Sequence, residues 1–151
     1  MPHHGWYHGM FSGQGYRFTN PRRAVLDVLN GKHGHLSAED IYFEVHKQYP
    51  AIGLATVYRT LELLEHMGLV LKFDFGDNRS RYELSQDPDG PRHHHHLVCT
   101  GCGRIVDYTD YVAEEKDLLK KAETGLSRKY NFAIMNHVIN FYGLCEKCRS
   151  S

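Results

Sequence analysis

Between Asn20 and Gly31 the apolar residues Ala24, Val25, Val28 and Leu29 recur at the spacing that fills one face of a helix. Thr19 or Asn20 can cap that helix, Pro21 fits its first turn, and Asn30-Gly31 ends it. A second helix starts at Ser37, which Asp40 follows at capping-box spacing. It turns Ile41 and Val45 inward and stops at Pro50. A third, from about Ala55 to Met67, buries the stripe Leu54, Val57, Leu61 and Leu64 and closes on Gly68. Two β-rich runs follow, residues 69–75 and 79–84, which read as a hairpin around Gly76-Asp77-Asn78. Three helices and a hairpin is the order of a winged helix-turn-helix, and a plain helical bundle carrying a hairpin shares the pattern.

The flanks differ in texture. Residues 1–15 are rich in Gly and His without sustained periodicity and read as a mobile N-terminal arm whose three histidines are solvated rather than metal-bound. Residues 85–92, with two prolines, a glycine and two aspartates, read as a hinge linker. Strands over 93–99 and 104–108, a helix over 111–126 and a strand over 132–142 complete the chain. The expected organisation is α+β: an arm (1–15), a winged-helix domain (16–84), a hinge (85–92) and a small α/β domain (93–151).

Charge adds a constraint. The 18 Lys+Arg balance 18 Asp+Glu, so any attraction to nucleic acid must come from locally placed arginines. No apolar run approaches the ~18 residues of a membrane span, and no secretory leader is recognisable, so a soluble, cytoplasmic protein with reduced cysteines is expected.

Metal chemistry is the strongest signal. All four cysteines lie in two C-x-x-C pairs, Cys99/Cys102 and Cys145/Cys148, each at the end of an expected strand. Two such knuckles close one tetrahedral zinc site of four thiolates, which has no open position and is therefore structural. A redox C-x-x-C would open a helix in a βαβ unit, and neither pair does. The run from His93 to His96 enters a strand, where alternate side chains share a face. His94 and His96 then point one way, His93 and His95 the other, so two metal sites can draw on one segment. On the third helix Thr56, Tyr58 and Arg59 lie off the buried stripe near the N-terminal end, where a recognition helix contacts bases and where a solvated helix face looks the same.

The motifs G-L-A-T-V-Y-R-T-L at 53–61 and H-H-L-V-C-T-G-C-G at 95–103 resemble the ferric uptake regulator family. The match extends through T-N-P-R at 19–22, H-L-S-A-E-D-I-Y at 35–42 and N-H-V-I-N-F-Y-G-L-C at 136–145. The resemblance implies a winged-helix DNA-binding domain hinged to an α/β dimerisation domain. It implies a homodimer that binds an inverted repeat of double-stranded DNA when loaded with metal, a repressor rather than an enzyme. Tyr58 and Arg59 would enter the major groove and Arg17 the minor groove.

The sensing site would be His35, Glu83, His94, His96 and Asp107, and a further site found in some members would be His93, His95, Glu114 and His137. Three imidazoles and two carboxylates suit Fe2+ or Mn2+, with Zn2+ able to substitute. Glu83 and Arg59 resemble the iron-sensing branch, so Fe2+-responsive control of iron-uptake genes at an AT-rich operator is expected. Asp107 is closer to the peroxide-sensing branch, and His95 stands where iron sensors commonly carry Asp. The reading from another class is a metal-dependent hydrolase using His35, His94 and His96, with Glu83 as its acid or base.

Overall fold

The computed structural model describes residues 3–32, 34–87, 90–91, 94–135 and 137–151, and the chain divides into two units, Met1–Arg92 and His93–Ser151. The first element is one that the hydrophobic pattern did not predict. Residues expected to form a mobile arm make the helix α1 (His4–Gly13), with Tyr7 and Phe11 fully buried. Gly5 and Gly9 each cost a helix about 1 kcal/mol relative to alanine, whereas burying an aromatic side chain contributes about 1.5–3 kcal/mol. Packing therefore outweighs propensity. The next helix, α2 (Asn20–Gly31), anchors α1: the Asn30 side-chain amide donates to the Tyr7 hydroxyl at 2.9 Å, and His4 Nε2 lies 2.7 Å from Asp27 Oδ1.

The α2 helix buries Ala24, Val25, Leu26 and Leu29, with Pro21 in its first turn. Thr19 occupies the N-cap, and its side chain makes no capping hydrogen bond. The third helix, α3 (Ala38–Gln48), begins with a complete capping box: Ser37 N–H donates to Asp40 Oδ2 at 3.0 Å, and Asp40 N–H to Ser37 Oγ at 3.1 Å. The fourth, α4 (Leu54–His66), turns Val57, Thr60, Leu61 and Leu64 inward. At its end Gly68 adopts φ +76° while Leu69 N–H returns to Leu64 O at 2.9 Å, a left-handed cap that suits glycine.

The strands β1 (Val70–Asp74) and β2 (Ser80–Leu84) pair antiparallel, Val70 opposite Leu84, as the wing. Leu36 joins the wing through a bridge to Tyr82, with Tyr82 N–H donating to Leu36 O at 2.7 Å. One core runs from Tyr7 and Phe11 through the three helices to Leu69, Val70, Tyr82 and Leu84. In the segment read as a hinge, β3 (Gln86–Asp87) pairs with β4 (Gly90–Pro91), while residues 88, 89 and 92 lie outside the described residues.

The second unit carries a three-stranded sheet in the order β6 (Ile105–Tyr108), β5 (His95–Cys99), β7 (Asn140–Gly143). β5 runs antiparallel to β6 and parallel to β7. The strand expected over 132–142 shrinks to β7, because ladder pairing is available only opposite 96–99 of β5. The helix α5 (Val112–Tyr130) outruns its expected end by four residues and buries none of its side chains within the chain. A final turn, α6 (Glu146–Arg149), starts at Cys145.

Candidate metal centres and nucleic-acid surface

The four cysteine sulfurs converge at one end of the β5–β7 pair and lie within 4.8 Å of one another. The Cys102 and Cys145 sulfurs are 3.8 Å apart, which matches the edge of a tetrahedron of roughly 3.8 Å set by Zn–S bonds of about 2.3 Å. The first knuckle is shaped by backbone: Gly103 takes φ +77° as its N–H donates to Cys99 O at 2.9 Å. At Gly101 a Cβ would stand 3.0 Å from the Cys148 sulfur, so a side chain there would crowd the second knuckle by a few tenths of an ångström.

The electrostatics fit a cation. Backbone N–H donation from Cys102, and then from Cys145, lowers the Cys99 thiol to about 6. Hydrogen bonds from Cys148 to the sulfurs of Cys145, Cys99 and Cys102 push Cys148 up to about 12. One thiolate is welcome in this cluster, and a full set needs a dication to neutralise it. The donor set and spacing fit a structural zinc, with all four positions taken by protein.

A second set of ligand types lies in the Met1–Arg92 unit. The Leu36–Tyr82 bridge brings their neighbours His35 and Glu83 together, with His35 Nε2 3.3 Å from Glu83 Oε2. Both side chains are largely shielded, and the His35 ring packs edge-on against Phe75 at 5.3 Å between centroids. A third set lies in the His93–Ser151 unit. Alternation along the chain puts His94 and His96 on one side, their rings 5.0 Å apart, and β6 supplies Asp107 directly opposite His96. His96 Nε2 is 3.7 Å from Asp107 Oδ1, and His94 Nε2 is 4.0 Å from Asp107 Oδ2. On its other nitrogen His96 meets Asn140 Oδ1 at 2.9 Å. With the proton on Nδ1 donated to Asn140, Nε2 keeps the lone pair that a metal requires. Sequence reasoning missed Asn140, since only the parallel β5–β7 register, His96 beside Asn140, reveals it.

The opposite face of β5 differs from expectation. His95 is 1% exposed and its ring lies 5.7 Å from that of His137, but Glu114 is exposed. The carboxylate that contacts His95 Nδ1 belongs to Glu115, which also accepts from the Tyr108 hydroxyl at 2.8 Å. His137 Nδ1 pairs with Glu123 Oε1 at 2.8 Å. A rotation of about 100° between consecutive helical residues separates Glu114 from Glu115, so the structure brings Glu115, and not the expected Glu114, to His95. His93 lies outside the described residues.

The remaining predicted residues gather on the first unit. Tyr58 and Arg59 are exposed on α4, with Thr56 half-buried, and Arg59 Nη2 donates to Thr56 Oγ1 at 3.2 Å. The Tyr58 hydroxyl donates to Glu39 Oε1 at 2.7 Å. Arg17 is exposed in the connection between α1 and α2, where Arg22 donates to its carbonyl and lays its guanidinium 5.7 Å from the Phe11 ring.

Residues 13–142 match the model of the "Ferric uptake regulator family". The chain is 44% identical over 135 residues to the ferric uptake regulation protein of Bacillus subtilis, covering 88% of this chain and 85% of that one. It is 32% identical over 135 residues to the peroxide-responsive repressor PerR of Staphylococcus saprophyticus, covering 89% and 84%. Its fold superposes on the ferric uptake regulator of Pseudomonas aeruginosa with manganese at a TM-score of 0.74 and 27% identity, over 97% of this chain and 99% of that one. With the family model spanning most of its length and relatives this similar, the chain belongs to the ferric uptake regulator family of transcriptional regulators.

Proposed function

We propose that this regulator is an Fe2+-responsive repressor that binds an AT-rich inverted repeat as a homodimer, with one divalent ion drawing on His35 and Glu83 and on His94, His96 and Asp107. The observation that carries the reading is the Nε2 of His96, set 3.7 Å from Asp107 and oriented by Asn140. His35 with Glu83 supplies two donors and the β5–β6 set three. Neither set alone fills an octahedral shell, and together they suit Fe2+ or Mn2+. An ion held by both units satisfies all five ligands at only one hinge geometry, and so couples metal occupancy to the presentation of α4.

The homodimer is supported by the apolar surface of the smaller unit. Leu118 on α5 is 70% exposed, and Leu126, Tyr130, Phe132 and Met135 are also exposed, apolar surface of the kind that a partner subunit covers. Asp107 favours a second reading, peroxide sensing, for which the similarity to PerR also speaks.

The test is operator affinity against free Fe2+ or Mn2+ at fixed salt. His96→Ala should lose most of a metal response of about 5- to 150-fold while keeping the cysteine-bound zinc. His137→Ala should lose less, since its pairing with Glu123 and its contact with His95 fall within the smaller unit. A response abolished by His137→Ala and untouched by His96→Ala assigns the switch to the other face of β5. Loss of DNA binding on peroxide treatment of the Fe2+ form, but not of the Mn2+ form, would establish the second reading.

A further inference from the structure

The sequence Ser37-Ala38-Glu39-Asp40 starts α3 with two adjacent acids that do different things. Asp40 completes the capping box and receives Arg79 of the wing at 3.4 Å, while Arg79 also donates to Ser37 Oγ at 2.8 Å. Glu39 takes no part in the capping box. One residue earlier on the helix, it turns toward α4 and accepts the hydrogen bond of Tyr58.

Tyr58 is 39% exposed, beside a cleft of about 350 Å3 between α4 and the wing whose walls include Glu39, Glu62, Lys72 and Arg79. No ring-stacking contact to Tyr58 occurs among the described residues, so the phenol is oriented by its hydroxyl. The two groups tune one another. The phenol's donation is the largest influence holding the Glu39 carboxyl below its ordinary value, and Glu39 in turn raises Tyr58 above 10.

We propose that Glu39 is a positioning residue for operator reading: its carboxylate holds the Tyr58 side chain in the one orientation that α4 presents to base edges. An unconstrained exposed tyrosine must be ordered at the moment of DNA binding, and that ordering weakens association with the correct site. With the hydroxyl hydrogen committed to Glu39, Tyr58 arrives preordered. This inference rests on the reading of Tyr58 as a base-contacting residue.

The experiment measures the ratio of affinities for a wild-type-selected inverted repeat and for random duplex, using the full-length, zinc-replete, Mn2+-loaded protein. Glu39→Ala should lower that ratio about 3- to 10-fold, the range expected when one side chain loses its preordering. Glu39→Gln, whose amide oxygen still accepts from the phenol, should restore it to within about twofold. Tyr58→Phe should match Glu39→Ala, and the double variant should be no worse than either single one. Equal thermal midpoints separate these effects from loss of fold. If Tyr58→Ala lowers the ratio while Glu39→Ala leaves it unchanged, or if the double variant is additive, Glu39 does not act through Tyr58. Failure of Glu39→Gln to restore the ratio overturns the hydrogen-bond role in favour of charge. If Tyr58→Ala itself leaves the ratio intact, the base-contact reading fails and the positioning role falls with it.

Discussion

The backbone N–H of Cys145 donates to the sulfur of Cys99 at 3.3 Å, tying together two knuckles that lie 46 residues apart. That bond supports one thiolate, and the other three sulfurs crowd around it. The small sheet has a thin core of its own, since no side chain of α5 is fully buried within the chain. Zinc binding at such a site is folding free energy. Cys102→Ser should therefore abolish stoichiometric zinc and leave the smaller unit unfolded or monomeric, read by metal analysis and sedimentation. A zinc-free wild-type dimer with native DNA affinity would contradict the structural role.

The α1 helix makes a prediction that a mobile arm would not. Phe11 is completely buried, its ring 5.1 Å from that of Phe18, so Phe11→Ala should destabilise the first unit by about 3–5 kcal/mol in urea unfolding. A change under about 0.5 kcal/mol, the range of ordinary surface positions, would mean that α1 does not belong to the core.

On the DNA surface Arg59 and Arg17 should separate specificity from affinity. Arg59 lies on α4 with its guanidinium held near Thr56, so Arg59→Ala should cost about 1–3 kcal/mol of discrimination between operator and random DNA. Arg17, exposed in the loop that Arg22 braces, should lower both affinities together and reduce the salt slope by about 1 when replaced by alanine. Competition binding at two salt concentrations distinguishes the two patterns, and an unchanged specificity ratio in Arg59→Ala would show the recognition helix to be misassigned.

Acid should weaken the smaller unit through His95. Burial is the main influence holding its imidazole below 6.5, only partly offset by Glu115. The folded chain then binds that proton less readily than the unfolded chain, whose histidines titrate near ~6.5. Its contribution to stability is full above about pH 6.5 and is lost as the pH falls through the depressed folded value. Thermal midpoints of zinc-replete protein without further metal should fall below that pH, and His95→Gln should flatten the fall. A variant as acid-sensitive as wild type would place the effect elsewhere.

Local signals carried much of the architecture. Ser37 and Asp40 specify where α3 starts, the Val57, Leu61 and Leu64 stripe orients α4, and both C-x-x-C pairs mark the zinc cluster. The alternation of His94, His95 and His96 separated two faces before any partner strand was known. These features are encoded over one or two turns, or by residue types with few other uses, so neighbours in sequence suffice to define them.

Contacts across the fold decided the rest. Gly5, Gly9 and the histidines make residues 4–13 look unstructured, and only the hydrophobic surface of the core, which receives Tyr7 and Phe11, makes them a helix. Glu115 rather than Glu114 meets His95 because the roll of α5 against the sheet chooses between adjacent positions. Asn140 reaches His96, and the expected strand over 132–142 contracts to 140–143, because the parallel register with β5 extends only that far. Tyr58 and Glu39 stand 19 residues apart on two helices, and their pairing depends on how α3 crosses α4, which no period in either helix records.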